Sequence, residues 1–222
     1  MAGTSKDPKA ATPSGGNSGW SRRSFIRGVG VAAVSAETVL ERVTHAAAAE
    51  TDPTAPNNVV KGSVKVTLTI NGQKREVEVE PRTTLLSAMR DRLDPPLTGP
   101  KLVCNAATCG ACTVLLDDKQ VFGCSVLAID AVGKKITTVE GLGTPDHMSP
   151  VQAAFCDKDA LMCGFCTPGF VTAVTAFLMK NPNPTEQQVR EGCKGNFCRC
   201  GTYPHIVQAA LAAAKAQNGA RT

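Results

Sequence analysis

Val103-Cys104-Asn105-Ala106-Ala107-Thr108-Cys109-Gly110-Ala111-Cys112-Thr113-Val114 sets three thiols within nine residues, and a fourth follows at Cys124 after an apolar run. The spacing is C-x4-C-x2-C-x11-C. A loop this dense in cysteine wraps one face of whatever the thiols hold, and its backbone N–H groups can turn toward it. Gly110, between two of the cysteines, frees the backbone for that close approach. Four thiols serve a structural zinc ion, two disulfides or an iron–sulfur cluster. Zinc sites favour C-x2-C pairs in both halves, and here only Cys109 and Cys112 form one.

The flanking residues place this loop on a small sheet domain. Upstream, Val64, Val66, Leu68 and Ile70 alternate with Lys65, Thr67 and Thr69, the period of a strand with one buried face. Asn71-Gly72 is a two-residue hairpin turn, and Val77 and Val79 lie on the return strand. Thr83 or Thr84 can cap a helix carrying Leu85, Leu86, Met89 and Leu93, ended by Asp94-Pro95-Pro96. Ile136-Thr137-Thr138-Val139 is the expected last strand. A C-x4-C-x2-C run with a distant fourth cysteine is the plant-type ferredoxin spacing for a [2Fe–2S] cluster.

Beyond residue 142 the apolar period becomes helical. Ser149-Pro150 opens a first helix to about Asp157. Thr167-Pro168 opens a second, with Val171, Val174 and Leu178 on one stripe, and Asn181-Pro182-Asn183-Pro184 breaks it. Thr185 with Gln188 forms a capping box for a third helix. Tyr203-Pro204 starts a fourth, with Val207, Ala210, Leu211 and Ala214 inward. Cys163 and Cys166 precede the second helix, and Cys198 and Cys200 precede the fourth, a C-x2-C-x31-C-x-C spacing. Two helix starts can hold one anionic cluster between them, since their free N–H groups carry partial positive charge. Arg199, between two of these cysteines, either adds to that charge or is a solvated surface side chain.

The remaining composition narrows the function. The chain has 222 residues, 42% of them apolar and 19% charged, so it can build a core. No apolar run approaches the roughly 18 residues of a membrane span. A net charge of +5, evenly spread, gives no ground for a nucleic-acid partner. Residues 1–20 are polar and small. Ser21-Arg22-Arg23-Ser24-Phe25-Ile26, before a short apolar stretch, is the pattern of a twin-arginine export signal over residues 1–49, with a linker at 50–61. That route carries folded proteins, often with a cofactor already in place, so it favours cofactor ligands over disulfides and predicts a periplasmic location. Of the ten cysteines, Cys156 and Cys193 are left over and are expected to be buried as small apolar residues. His45, His147 and His205 lack metal-ligand spacing with one another.

Cys109-Gly110-Ala111-Cys112-Thr113-Val114, Cys163-Gly164-Phe165-Cys166-Thr167-Pro168-Gly169 and Asn196-Phe197-Cys198-Arg199-Cys200-Gly201-Thr202-Tyr203, in that order, resemble the small iron–sulfur subunit of the xanthine oxidase family of molybdenum hydroxylases. The resemblance covers about residues 62–217. It implies an α+β chain: a plant-type ferredoxin domain of β-grasp fold at 62–142, then a small four-helix bundle at 143–222, each with one [2Fe–2S] cluster. Cys104, Cys109, Cys112 and Cys124 match the ligands of the first cluster. Cys163, Cys166, Cys198 and Cys200 match those of the second, which in the family lies nearest the molybdenum cofactor. The implied partners are a large molybdenum-cofactor subunit and, as electron acceptor, an FAD subunit or a cytochrome.

The export signal and the Cys-Arg-Cys-Gly-Thr-Tyr variant are similar to periplasmic aldehyde oxidoreductases, with N-heterocycle dehydrogenases of the isoquinoline or nicotinate type as the second substrate class. A stand-alone two-cluster carrier is the other functional class. Three positions depart from the family pattern. Val103 and Ala107 stand where glycine is usual, and Met162 stands where many members have a glutamine that touches the pterin of the molybdenum cofactor. No motif for substrate chemistry is present, so one-electron transfer is the chain's own activity.

Overall fold

The computed structural model describes residues 62–219. The stretch expected as a twin-arginine signal (1–49), the expected linker (50–61) and residues 220–222 lie outside the described residues.

Five strands form one mixed sheet. They are β1 (Val64–Ile70), β2 (Gln73–Val79), β3 (Thr113–Leu116), β4 (Lys119–Phe122) and β5 (Lys135–Thr137), in the order β2-β1-β5-β3-β4. β1 pairs with β2 antiparallel, with Val64 opposite Val79 and Ile70 opposite Gln73. β1 and β5 run parallel, and β3 pairs antiparallel with both β4 and β5. The turn residue Asn71, at φ 50°, does more than close the hairpin. Its N–H donates to Ile136 O at 2.8 Å, and its side chain exchanges two 2.9 Å bonds with Thr138. One local turn therefore also fixes the long-range β1–β5 pairing.

The alternating apolar residues of β1 and β2 bury Leu68, Ile70, Val77 and Val79 on one face. There they meet Val114, Ile136, Leu85 and Met89 in one core. The cap predicted at Thr83 or Thr84 is Thr84, whose hydroxyl accepts from Ser87 N–H at 3.2 Å. The helix it opens, α1 (Leu85–Ser87), widens over Ala88–Arg92, where Leu93 N–H reaches back five residues to Ala88 O. β3 is buried on both faces: Val114 and Leu116 enter the sheet core, while Thr113 and Leu115 are sealed on the other side. That second burial removes the polar half of the strand pattern.

Four helices follow: α2 (Pro150–Asp157), α3 (Thr167–Lys180), α4 (Glu186–Gly192) and α5 (Tyr203–Gly219). Their shared core is built from Val151, Phe155, Phe170, Val174, Ile206 and Ala210 with their neighbours. Capping boxes at Ser149–Gln152 and Thr185–Gln188 start α2 and α4. Thr167, which precedes Pro168 as Ser149 precedes Pro150, does not cap its helix as Ser149 does. Thr167 is already helical, and the N-cap of α3 is Cys166, which makes no side-chain cap bond. The helix thus begins on a cysteine because the thiol is turned toward its partners instead of toward the helix end. Among the described residues no helix is long and apolar enough to cross a membrane.

Candidate metal centres

All ten cysteines are free thiols. Eight of them converge as two sets of four. In the first set, residues 100–112 form a loop tied by Lys101 N–H to Ala111 O (2.9 Å) and Thr113 N–H to Gly110 O (3.1 Å). Asn105, Ala107 and Gly110 take positive φ, which curls the loop so that its N–H groups point inward. Ala106 N–H donates to Cys104 Sγ at 3.4 Å, and Ala107 N–H to Cys124 Sγ at 3.3 Å. Cys124 sits on the turn Gly123–Ser125 after β4, anchored by Gly123 N–H to Cys112 O at 3.1 Å. Cys104 faces Cys109, and Cys112 faces Cys124 with Cys109 nearby.

The two ends of this set differ in acidity. The Thr108 hydroxyl and the Ala106 and Thr108 N–H groups lower the Cys104 thiol to about 6. Burial pushes Cys112 up to about 12, with the neighbouring Cys124 thiol adding to the rise. Buried Cys112 and Cys124 pack on Leu86, while Cys104 lies toward the surface beside exposed Leu102 and Val103.

The second set is assembled from two helix starts. Cys166 faces Cys198, with Cys163 nearby, and Cys200 faces Cys163. Cys166 is pushed up to about 12 by burial and then by the Cys198 thiol. Burial also acts to raise Cys198. The Thr202 hydroxyl and N–H, the Cys166 thiol and the Cys200 N–H outweigh it and bring Cys198 to about 7. The Cys163 N–H acts to lower Cys200, but the Cys163 thiol leaves it raised. Cys198 N–H donates to Tyr203 Oη at 2.9 Å, and Cys198 Sγ lies 3.4 Å from Thr202 Oγ1. Gly164 and Gly201 supply the positive φ that each short loop needs. Cys163 and Cys200 are exposed, rimmed by exposed Leu161, Met162 (73%) and Phe165. Arg199 points to solvent.

Both sets fit a two-iron centre better than one tetrahedral ion. The sulfurs meet in pairs, Cys104/Cys109 with Cys112/Cys124 and Cys163/Cys200 with Cys166/Cys198. Two thiolates for each of two irons is the ligand demand of a [2Fe–2S] cluster.

The leftover cysteines part company. Cys193 is buried as expected, and burial pushes its thiol up to about 11. Cys156 is exposed instead: the turn of α2 that carries it faces outward, and its Sγ lies 3.9 Å from Met148 Sδ beside an apolar groove of about 440 Å³. His205 Nδ1 pairs with Lys158 O at 2.8 Å and has no part in either set. Sequence reasoning missed Thr108, Thr202 and Asn196. The first two had a signal, a hydroxyl residue within four positions of a ligand. Asn196 stands in the motif around Cys198, two residues before that ligand, but nothing local shows its role, because its partners lie more than 70 residues away.

A family model for a 2Fe-2S iron-sulfur cluster binding domain matches residues 68–136, and one for a [2Fe-2S] binding domain matches residues 138–211. The chain is 38% identical over 203 residues to the iron-sulfur-binding subunit of an aldehyde oxidoreductase of Escherichia coli O157:H7, covering 85% of each. It is 45% identical over 148 residues to the small subunit of nicotine 6-hydroxylase of Paenarthrobacter nicotinovorans, covering 67% of this chain and 88% of that one. Among solved structures, quinoline 2-oxidoreductase of Pseudomonas putida 86 superposes with a TM-score of 0.67 at 38% identity, over 73% of this chain and 100% of the matched chain.

Proposed function

From its membership of the iron–sulfur subunits of the xanthine oxidase family of molybdenum hydroxylases, to which the chain belongs, we propose that it relays electrons from a large molybdenum subunit acting on aldehydes. Each [2Fe–2S] cluster, when bound, takes up and releases one electron. Cys104, Cys109, Cys112 and Cys124 hold one cluster, and Cys163, Cys166, Cys198 and Cys200 hold the other. The single observation that carries the reading is the convergence of eight free thiols into two paired sets on adjoining loops.

The chain's own residues bind, orient and expose these centres. The rim of Leu161, Met162 and Phe165 beside Cys163 and Cys200 supports docking of the large subunit there, since exposed apolar clusters mark partner surfaces. Leu102 and Val103 beside Cys104 support a separate exit face for an FAD subunit or a cytochrome. We read the second module as a small four-helix bundle, and residues 1–49 as a twin-arginine signal that sends the folded subunit to the periplasm. The aldehyde reading is supported by the 85% coverage shared with the aldehyde oxidoreductase subunit. The higher identity to the nicotine 6-hydroxylase subunit favours an N-heterocycle as the second reading.

The test is Cys200→Ala in the complex purified from its host. We expect about half of the iron, one cluster's paramagnetic signal lost, and turnover with the natural acceptor blocked. Unchanged iron and turnover would refute the ligand assignment. Co-purifying molybdenum and oxidation of aldehydes in preference to N-heterocycles support the partner and the substrate class.

A further inference from the structure

The two cysteine loops touch backbone to backbone. Phe197 N–H donates to Cys109 O at 2.9 Å, so a residue of the first set is bonded to the immediate neighbour of Cys198 in the second. Asn196, only 5% exposed, holds this contact in place. Its Nδ2 donates to Gly110 O at 2.9 Å and to Thr113 Oγ1 at 3.2 Å, and its Oδ1 accepts from Gln120 Nε2 at 3.5 Å. Thr113 also donates to Gly110 O, through its N–H (3.1 Å) and its hydroxyl (2.6 Å). One carbonyl between two ligands thus receives three donors, one of them from the other module. Nothing larger fits between the loops: a Cβ at Gly110 would lie 2.5 Å from Gly195 O, and one at Gly169 would lie 2.4 Å from Gly110 O.

We propose that Asn196 is a positioning residue for electron transfer between the two centres, clamping Gly110 so that the Cys109–Phe197 hydrogen bond closes a bonded route from Cys109 Sγ to Cys198 Sγ. The route runs over four covalent bonds from Cys109 Sγ to its carbonyl oxygen, crosses the 2.9 Å hydrogen bond, and continues over six covalent bonds from Phe197 N to Cys198 Sγ. Electronic coupling decays less along bonds and short hydrogen bonds than across open gaps, so loss of this contact slows transfer even when both centres stay intact. One electron moves: the Cys198 side is oxidised by one, the Cys109 side is reduced by one, and no bond breaks and no proton is displaced. The proposal rests on the two-cluster reading above.

The experiment uses the full chain carrying both clusters, compared with Asn196→Leu, which keeps the branching at Cγ, puts two methyls in place of the amide oxygen and nitrogen, and removes both donors. Thr113→Val is the milder second variant should the first fold poorly: it nearly keeps the shape, leaves the Asn196 bond to Gly110 O in place, and removes one acceptor of Asn196 together with the hydroxyl donor to Gly110 O. Gln120→Ala, which leaves both donors of Asn196 in place, is the control. Three quantities are read: iron per chain, the splitting of the paramagnetic signals when both clusters are reduced, and the rate of electron equilibration after flash photoreduction.

We expect full iron, weakened splitting, and equilibration measurably slower than in the native chain in Asn196→Leu, because the Cys109–Phe197 hydrogen bond lengthens or opens. Thr113→Val should fall between this variant and the control, and the control should match the native chain. Native rate and splitting in both Asn196→Leu and Thr113→Val, with full iron, overturn the proposal. So does selective loss of one cluster in both, which would make Asn196 a support of one loop only. An iron-free native chain would instead sink the two-cluster reading before any variant is compared.

Discussion

In the ferredoxin module the backbone itself faces the sulfurs: Ala106 and Ala107 turn their N–H groups onto Cys104 and Cys124. In both modules a threonine hydroxyl joins them, Thr108 at Cys104 and Thr202 at Cys198 Sγ, but in the helical module the backbone donors come from two separate helix starts, Cys163 on one and Cys200 and Thr202 on the other, and the Tyr203 hydroxyl takes up Cys198 N–H. The first set is largely one continuous loop, three of its four cysteines lying within nine residues. The second exists only after α3 and α5 have packed, because its two halves are separated by 31 residues. A loop of backbone donors is a local structure held by curled φ angles. A site between helix ends is a tertiary structure, and its integrity is that of the core beneath it.

The largest test of this contrast is Phe155→Ala. Phe155 is buried in the core shared by the four helices, so its truncation should cost about 3–5 kcal/mol. We expect the helical-module cluster to be lost on mild warming while the other persists, followed by the two paramagnetic signals against temperature. Loss of both signals at one shared midpoint would mean that the modules unfold as one unit and that the contrast has no energetic content.

A second test compares glycines at the same kind of backbone angle. Gly110 and Gly201 both have positive φ, 69° and 80°. An alanine at Gly201 meets nothing within 4 Å and pays only the left-handed penalty of about 1–2 kcal/mol. An alanine at Gly110 adds a collision with backbone of the other module, a further roughly 1–3 kcal/mol. Denaturant unfolding should therefore rank Gly110→Ala well below Gly201→Ala. Equal losses would show that the loops separate freely and would weaken the case for a bonded route between them.

Much of this was legible because it is local. The Asn71-Gly72 hairpin, the Thr185–Gln188 capping box and both cysteine spacings are encoded within a few residues of where they act. What escaped depends on distant packing. β3 shows no alternation because α3 covers its second face. Thr167 has the composition of a cap, yet Cys166 occupies that position because its thiol must face Cys198. Cys156 looks like any core cysteine until the helix packing turns it outward. Asn196 is visible as part of the Cys198–Cys200 motif, but its role is hidden in the same way: only the meeting of two loops more than 80 residues apart gives its amide something to hold.

The smallest predicted effect has the opposite sign and singles out the ferredoxin loop. Within the two cysteine motifs of the helical module the positive-φ positions, Gly164 and Gly201, are already glycine, whereas the ferredoxin loop carries Asn105 and Ala107 at φ 50° and 54°. Ala107 is the costlier of the two, since asparagine tolerates this region and alanine does not. Ala107→Gly should release about 1–2 kcal/mol of left-handed strain while adding about 0.4–1 kcal/mol of unfolded-chain entropy to be lost on folding. The net is a stabilisation of about 0.5–1 kcal/mol, read as a higher unfolding midpoint with the N–H to Cys124 Sγ bond retained. A destabilised variant would mean that the Ala107 methyl packs usefully on the Leu86, Cys112 and Cys124 cluster it touches. In that case the loop would be held by side-chain burial, and its difference from the helical site would be one of degree.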